Sequence, residues 1–232
     1  MSTTLPLADA ALDAPAWSAL TGAHAEFARG GDLARTYPAD VSPFTGVASW
    51  DEPGVWDALG ELHGSGSEFL ISHADPDLPA GWDELSRGHG LQLVATDRAA
   101  GAADPSAVEL GADDVADMLA IVGRNQPGPF LARTHELGRY VGIRREGRLV
   151  AMAGERLHPA GWTEISAVST DAAYRRQGLA SRLVLDVIAH IRARGDRPFL
   201  HASAANTGAV AAYEKLGFEV RRKTPFIRVR VP

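Results

Sequence analysis

Residues 170–180 read TDAAYRRQGLA and connect a predicted strand, WTEISAVST (162–170), to a predicted helix. Apolar residues of that helix recur at the spacing of one face: Leu179, Leu183, Val187 and Ile191. No good N-cap side chain precedes the first turn, so its free backbone N–H groups have no local partner. Two arginines, a flexible Gly178 and the helix dipole therefore favour a bound anion, best a phosphate or pyrophosphate. A basic turn without a ligand is the alternative.

The composition is that of an ordinary globular protein. The chain has 232 residues, of which 45% are hydrophobic and 22% are charged. It contains no cysteine, which excludes disulfides, thiolate zinc sites and a cysteine nucleophile. The eight histidines show no metal-ligand spacing, so we predict no metal. No apolar run is long enough to span a bilayer, and MSTTLPLADAALDAPAW lacks the basic start of a signal peptide. We therefore expect a cytoplasmic protein.

The net charge of −6 is unevenly distributed along the chain. Residues 1–120 hold 20 acidic and 4 basic side chains, whereas residues 121–232 hold 19 basic and 9 acidic ones. One interpretation is two surfaces of opposite sign that attract each other; the other is a polyanionic ligand on the basic half. Nucleic acid is a poor candidate, because the whole chain is acidic and the arginines are scattered without interleaved aromatic residues.

The stretch RAAGAADPSA (98–107) is small, polar and turn-prone, and it is the predicted boundary between two segments. Residues 1–104 read as an acidic, mixed α/β region of unknown function, with a loop around TYPADVSPF. The short apolar runs in SEFLIS and GLQLVAT predict strands there.

Residues 105–232 show a sharper pattern. The predicted order is β-α-loop-β-β-β-α-β-α-β-β, with a hairpin at Glu146-Gly147 and two final strands, FEVRR and FIRVRV. Gly217 ends the second of the two later helices as a C-cap. This order indicates an α/β (α+β) fold, a mixed sheet with helices on both faces.

Two motifs in this segment together resemble the GNAT superfamily of N-acetyltransferases. Arg175-x-x-Gly178-x-Ala180 is similar to that superfamily's acyl-CoA pyrophosphate loop, Q/R-x-x-G-x-G/A. Asn206, followed by AVAAYEKLGF from position 209, is similar to its second signature, N-x-x-A-x-x-x-Y-x-x-x-G-F. The resemblance covers roughly residues 105–232.

Within the superfamily the chain looks most like the branch that contains the glycine acyltransferase relatives. It departs from the usual pattern after the strand, where His/Asn-Pro is replaced by Asp171-Ala172. We expect this change to loosen the turn without abolishing cofactor binding.

The resemblance implies the GNAT fold, in which the fourth and fifth strands, here WTEISAVST and PFLHAS, splay apart and hold acetyl-CoA in the gap. Main-chain groups of the fourth strand would bind the pantetheine arm: Val168, Ser169 and Thr170. The pyrophosphate loop would comprise Arg175, Arg176, Gln177, Gly178, Leu179 and Ala180. Asn206 would hydrogen-bond the pantetheine arm, and Tyr213 would lie near the thiol. The alternatives are a helix N-cap for Asn206 and a core position for Tyr213.

The resemblance also implies acyl transfer from acetyl-CoA to a primary amine, in which an ammonium must first lose a proton. Glu164 is the leading candidate base, since it shares a strand face with Ser166 and Val168. It precedes Arg175 by eleven residues, a spacing that resembles that of the catalytic glutamate in the histone-acetylating branch. We expect an interior carboxylate of this kind to have a raised pKa.

Other assignments of the base remain open. Glu164 could instead pair with Arg156 or Arg144 across the hairpin, and Glu155 and His158 are then the fallback bases. Tyr213 would protonate or hydrogen-bond the departing thiolate. With no cysteine for the usual thiol acyl-enzyme, transfer should be direct within a ternary complex.

The amine acceptor is not identified by any motif. The segment NQPGPFLARTHE should border the acceptor cleft, and the acidic N-terminal half would favour a cationic amine. We expect a small molecule rather than a protein, no nucleic-acid or membrane partner, and a monomer or homodimer. A non-catalytic acyl-CoA-binding sensor or interaction module is the alternative function.

Overall fold

The computed structural model describes residues 9–232, so the start of the N-terminal stretch discussed above, residues 1–8, lies outside it. The helices are α1 Ala10–Asp13, α2 Pro15–Leu20, α3 Val55–His63, α4 Val115–Asn125, α5 Leu179–Ala193 and α6 Thr207–Lys215. The strands are β1 Arg29–Gly30, β2 Ala34–Thr36, β3 Thr45–Val47, β4 Glu68–Ser72, β5 Asp83–Ala95, β6 Val108–Leu110, β7 Tyr140–Arg145, β8 Arg148–Glu155, β9 Trp162–Thr170, β10 Arg197–Ser203 and β11 Phe218–Arg230. None of these helices is long and apolar enough to cross a membrane.

One eight-stranded sheet organises the molecule, in the order β4-β11-β5-β10-β9-β8-β7-β6. Only β9 and β10 are parallel among its neighbouring strands. Helix α5 packs on one face through Leu183, Val187 and Ile191, all fully buried. Helix α4 covers the other face at one end, and the helices α1 and α2 cover it beside β5 and β10. The predicted mixed sheet with helices on both faces is thus confirmed.

Strand β5 lies between β10 and β11, although it precedes them by about a hundred residues. It pairs with β10 from Phe199↔Val94 to Ser203↔Gly90 and with almost the whole of β11. The stretch predicted as a boundary, residues 98–107, joins β5 to β6 within this same sheet. A division at residue 104 stays a prediction, but the sheet is continuous across it.

The final two strands were predicted wrongly, because FEVRR and FIRVRV form the single strand β11. Pro225 does not end it: the pairing of β11 with β4 begins only at Phe226, so the missing N–H interrupts no ladder on that side. Strand β5 also begins at Asp83 rather than Gly90. Its first half is polar and exposed, so it lacks the apolar run by which the sequence predicts a strand.

The parallel strands β9 and β10 separate in the middle. Their pairing runs from Arg197↔Trp162 to Leu200↔Ile165 and stops there. Just beyond, Ala167 has a left-handed backbone (φ 54°), and the register with β8 shifts by one residue, which is a β-bulge. The bulge bends β9 away from β10 and opens a gap, as the predicted splay requires.

Ion pairs join the acidic and basic parts of the chain. Asp13 accepts hydrogen bonds from Arg221 and Arg222 of β11, at 2.7 and 2.8 Å. Asp40 lies 3.5 Å from Arg133, across the loop that follows α4. These contacts support the interpretation of two oppositely charged surfaces that attract each other.

Candidate active site

The turn before α5 carries a run of unpaired backbone donors. Arg176 and Gly178 have left-handed backbones, with φ of 61° and 74°. Gly178 is the N-cap of α5 and provides no side-chain cap. The N–H groups of residues 176–181 donate to no acceptor within the described part of the chain. This arrangement is suited to an anion, since successive N–H groups and the helix dipole point the same way.

The side chain of Arg175 is engaged elsewhere in the turn. Its Nη2 donates to Asn125 Oδ1 at 2.8 Å, and its Nε contacts the carbonyl of Thr170 at 3.4 Å. Asn125 is the last residue of α4, so the turn is tied directly to the loop that follows that helix.

Asp171, at the start of this turn, is bound by two arginines. Its carboxylate is 4% exposed and accepts hydrogen bonds from Arg124 and Arg148, at 2.9 and 2.7 Å. A loosened turn was expected because the usual proline is missing. The two arginines, from α4 and β8, hold it in place instead.

A cavity of about 600 Å³, hereafter the larger cavity, fills the gap between β9 and β10 and extends to the start of α5. It contains most of the residues predicted to bind the cofactor: Val168, Ser169, Thr170, Arg175, Arg176, Gly178, Leu179, Ala180 and Asn206. Gln177 is absent from its lining. Asn206 caps α6, because its Oδ1 accepts from the N–H of Ala209 at 3.1 Å, which is the alternative role predicted for it.

Tyr213 lies where the larger cavity meets a second one. It is on α6, packs against the core under that helix, and lines both cavities. Its hydroxyl makes no hydrogen bond to any residue from 9 to 232. Burial raises the pKa of Tyr213 to about 12, so the group is a protonated donor at neutral pH.

Glu164 differs from expectation in its pKa. It is completely buried, and its carboxylate accepts from Arg156 Nε at 2.9 Å and Nη2 at 2.6 Å. Burial alone would raise the pKa of this carboxyl, but the Arg156 charge and the hydrogen bonds from Arg156 and His201 outweigh it and lower the pKa. The expected raised pKa is therefore wrong, and Glu164 is not among the residues that line either cavity.

The fallback carboxylate Glu155 is in a similar position. It is 1% exposed and accepts from two nitrogens of Arg194 at 3.0 Å, and His158 lies 3.4 Å away. Burial raises the pKa of Glu155, but His158 and Arg194 together lower it below the ordinary value.

His201 is a site residue that the sequence interpretation missed. Its Nδ1 donates to Glu164 Oε1 at 2.7 Å, and its Nε2 lies 2.6 Å from Nε2 of His73. Burial, with His201 nearby, lowers the pKa of His73 well below its ordinary value, so His73 is neutral. The imidazole of His201 borders both cavities. The only signal in the sequence was a lone histidine in PFLHAS, a strand otherwise apolar at its centre.

The second cavity, hereafter the smaller cavity, has a volume of about 390 Å³. Its lining comes from both parts of the chain and includes Phe44, Leu70, His89, Gln126, Pro127, Gly128, Pro129, Arg156, His201, Tyr213 and Phe226. The segment after α4 borders it, where an acceptor cleft was expected. No carboxylate from the acidic half is among its described lining residues, so the expected preference for a cationic amine has no support there.

Similarity to solved structures defines the class of protein. An acetyltransferase of the GNAT family from Novosphingobium aromaticivorans is 35% identical, with a TM-score of 0.88; the match covers 97% of this chain and 100% of that one. The chain therefore belongs to the GNAT family of acetyltransferases. A GCN5-related N-acetyltransferase from Kribbella flavida has the same fold, with a TM-score of 0.60 at 19% identity, over 93% of this chain and 94% of that one.

The sequence comparisons cover less of the chain. The family described as FR47-like protein matches residues 140–227. A mycothiol acetyltransferase from Corynebacterium glutamicum is 48% identical over 64 residues, which is 27% of this chain but only 22% of that protein. The N-alpha-acetyltransferase RimI of Mycobacterium tuberculosis is 33% identical over 41% of this chain and 63% of its own length. The chain thus spans only about a fifth of the mycothiol acetyltransferase it matches.

Proposed function

We propose that the protein transfers an acetyl group from acetyl-CoA to a primary amine. The observation that carries this proposal is the run of free backbone N–H groups, residues 176–181, at the edge of the larger cavity. A pyrophosphate suits them because they combine unsatisfied donors with the positive end of the α5 dipole. Membership of the GNAT family supports the same assignment.

The pantetheine arm would lie along β9 in the gap beside β10. The backbone of Val168, Ser169 and Thr170 has no pairing to β10 there, so the polar groups on that edge of β9 are free to bind amides. The hydroxyls of Ser169 and Thr170 are buried without a partner in the described chain, and a ligand in the larger cavity would satisfy polar groups of this kind.

The thioester would then lie near Tyr213, where the two cavities meet. Tyr213 gives a proton to the departing thiolate, a role that suits a tyrosine hydroxyl protonated at neutral pH. The amine attacks from the smaller cavity, and the chain has no cysteine to carry the acyl group. Transfer is therefore direct.

Glu164 acts in this proposal through His201 rather than as the base itself. A carboxylate with a lowered pKa is a poor proton acceptor, but it stabilises a positive imidazole beside it. His201 borders both cavities, and its Nε2 lies beside the neutral His73. The proton of the amine passes to Nε2 of His201, which exchanges its contact with His73 for one with the amine, and Glu164 holds the Nδ1–H group of His201 in place.

The acceptor is proposed to be a small molecule. The smaller cavity has a volume of about 390 Å³, which is in the size range of sites for small ligands. The names of the relatives do not decide between a small molecule and a protein, since one is a mycothiol acetyltransferase and another an N-alpha-acetyltransferase. The narrower resemblance to the glycine acyltransferase relatives stays a prediction.

Release of free thiol from acetyl-CoA with a broad panel of amines tests the proposal. We expect turnover with at least one amine. Without any amine, calorimetry should give a dissociation constant for acetyl-CoA that is roughly micromolar to millimolar. Acetyl-CoA binding without turnover on any amine would support instead a non-catalytic acyl-CoA-binding module. If the protein neither binds acetyl-CoA nor acetylates any amine, the cofactor assignment is contradicted.

A further inference from the structure

We propose that the amine acceptor carries a carboxylate next to an apolar side chain, and that Arg156 binds this carboxylate in the smaller cavity. The ligand class is an apolar or aromatic amino acid. This inference rests on the proposed function, because it specifies the acceptor for the same reaction.

The guanidinium of Arg156 has one edge in use and one free. Nε and Nη2 donate to the two oxygens of Glu164, and the plane lies over the ring of Phe44, with Cζ 4.7 Å from its centroid. Nη1 donates to no residue of the described chain, although Arg156 is only 7% exposed. Both Arg156 and Phe44 line the smaller cavity.

The free guanidinium edge belongs to a residue that lines the cavity, so it is available to an acceptor on a ligand. A carboxylate is the acceptor that fits the planar arginine fork best, because it can accept two parallel N–H···O bonds. Glu164 also fixes the orientation of Arg156, so the ligand need not immobilise a flexible side chain on binding.

The rest of the lining excludes a strongly cationic acceptor. No Asp, Glu or Lys lies among the described lining residues, and Arg156 is the only side chain there with a permanent charge. A second ammonium group on the ligand would therefore find no carboxylate to pair with. The preference for a cationic amine, expected from the acidic N-terminal half, therefore does not extend to this cavity.

The remaining wall selects for an apolar group. Its apolar lining includes Phe44, Leu70, Pro127, Pro129, Ile165 and Phe226. Gly90 is required there, because a Cβ at this position would lie 2.6 Å from the Phe226 ring. With about 390 Å³, the cavity holds a bulky side chain beside the carboxylate and leaves the amine near His201 and Tyr213.

The test compares acceptors that differ only in the carboxylate, with full-length protein and acetyl-CoA. L-phenylalanine is paired with 2-phenylethylamine, and L-leucine with 3-methylbutylamine. We expect kcat/KM to favour the amino acid of each pair by roughly 10- to 100-fold, the range of a hydrogen bond to a charged group. Equal rates, or faster acetylation of the decarboxylated amine, would overturn the inference while leaving the proposed function intact.

Arg156→Lys keeps the positive charge beside Glu164 but removes the free edge. We expect the ratio of kcat/KM between the amino acid and the amine of each pair to fall towards one. Arg145→Lys is the matched control, since Arg145 is exposed at the end of β7, and it should keep the wild-type preference. An Arg156→Lys enzyme that turns over with the full preference would also overturn the assignment.

Product binding decides the question without turnover. In the presence of CoA, calorimetry should give tighter binding of N-acetyl-L-phenylalanine than of N-(2-phenylethyl)acetamide, by the same factor. If no amine releases thiol, the proposed function fails, and this comparison still shows whether the smaller cavity prefers a carboxylate. Equal affinities would contradict the inference.

Discussion

Arg156 holds the buried carboxylate of Glu164 through two hydrogen bonds, so the side chain predicted to be a base is instead part of a buried ion pair. A buried carboxylate that keeps its charge in this way positions its neighbours rather than taking up protons itself. His201 is bound to the same carboxylate, and both partners of Glu164 reach the smaller cavity. One side chain thus orients two groups of the acceptor site.

Glu164→Gln should lower stability by about 3–5 kcal/mol at neutral pH, because it leaves Arg156 as an unpaired buried charge. The native pKa of Glu164 lies below its unfolded value, so this stabilisation is complete above pH 5.5 or so and is lost as the pH falls through the native pKa. The difference in free energy of unfolding between the wild type and the variant should therefore become smaller as the pH is lowered. Urea titrations at several pH values measure it. Glu219→Gln, which breaks an exposed pair with Arg98, should cost less than about 1 kcal/mol.

The same Glu164→Gln variant should transfer acetyl groups more slowly, with little change in acetyl-CoA affinity. An amide does not stabilise a positive His201, so proton removal from the amine becomes harder. The loss should shrink at high pH, where more of the amine is already neutral. Initial rates measured across pH check this, and a loss that is constant with pH would contradict a role in proton removal.

Gly178→Val should weaken acetyl-CoA binding strongly. A Cβ at this position meets no described atom within 4 Å, so the new side chain projects into the space assigned to the pyrophosphate. Gly147→Val is the matched control: Gly147 also has a left-handed backbone (φ 79°) and open space around it, but lies in the hairpin turn after β7. Both variants carry the same backbone strain. Calorimetry should show loss of affinity only for Gly178→Val; equal losses would point to strain alone.

Tyr213→Phe should lower the maximal rate by roughly 10²–10⁴, the usual range for a positioned proton donor. It keeps the ring and its packing, so stability and acetyl-CoA affinity should stay near normal. Tyr174→Phe is the control, since Tyr174 also lines the larger cavity but not the junction. Full activity of Tyr213→Phe would exclude its hydroxyl from the reaction. Steady-state rates of thiol release measure both variants.

Direct transfer predicts intersecting initial-rate lines when acetyl-CoA and the amine are varied together. A covalent acyl-enzyme would give parallel lines instead. The measurement needs only the wild-type protein and any amine that turns over. Because the chain contains no cysteine, parallel lines would require a different nucleophile to carry the acetyl group.

Residues 105–232 expressed alone should neither unfold cooperatively nor bind acetyl-CoA. Without β5, the strands β10 and β11 lose the neighbour that lies between them. Co-expression with residues 1–104 should restore binding if the two segments associate. A soluble, monomeric fragment that binds acetyl-CoA by itself would show instead that the C-terminal segment is complete.

The features predicted correctly from the sequence depend on local patterns. The start of α5, the cap of α6 by Asn206 and the hairpin at Glu146-Gly147 all follow from spacings within a dozen residues or so. The place of β5 could not be predicted, because the alternation in FIRVRV indicates a strand but does not identify the strand it pairs with. The pKa of Glu164 depends on whether Arg156 reaches it, and the sequence leaves that pairing open. The His201–His73 contact joins residues 128 positions apart, beyond any motif.

The insertion of β5 also constrains how the chain is made. Its two strand neighbours, β10 and β11, lie between Arg197 and Arg230, so neither exists when β5 leaves the ribosome. Leu93 and Val94 are fully buried in the finished sheet, but they stay uncovered by β10 and β11 until about a hundred more residues have been synthesised. During that interval β5 has two unpaired edges and an apolar end, the features that promote aggregation of nascent chains. We therefore expect the yield of folded protein to depend on chaperones that shield this strand until synthesis ends.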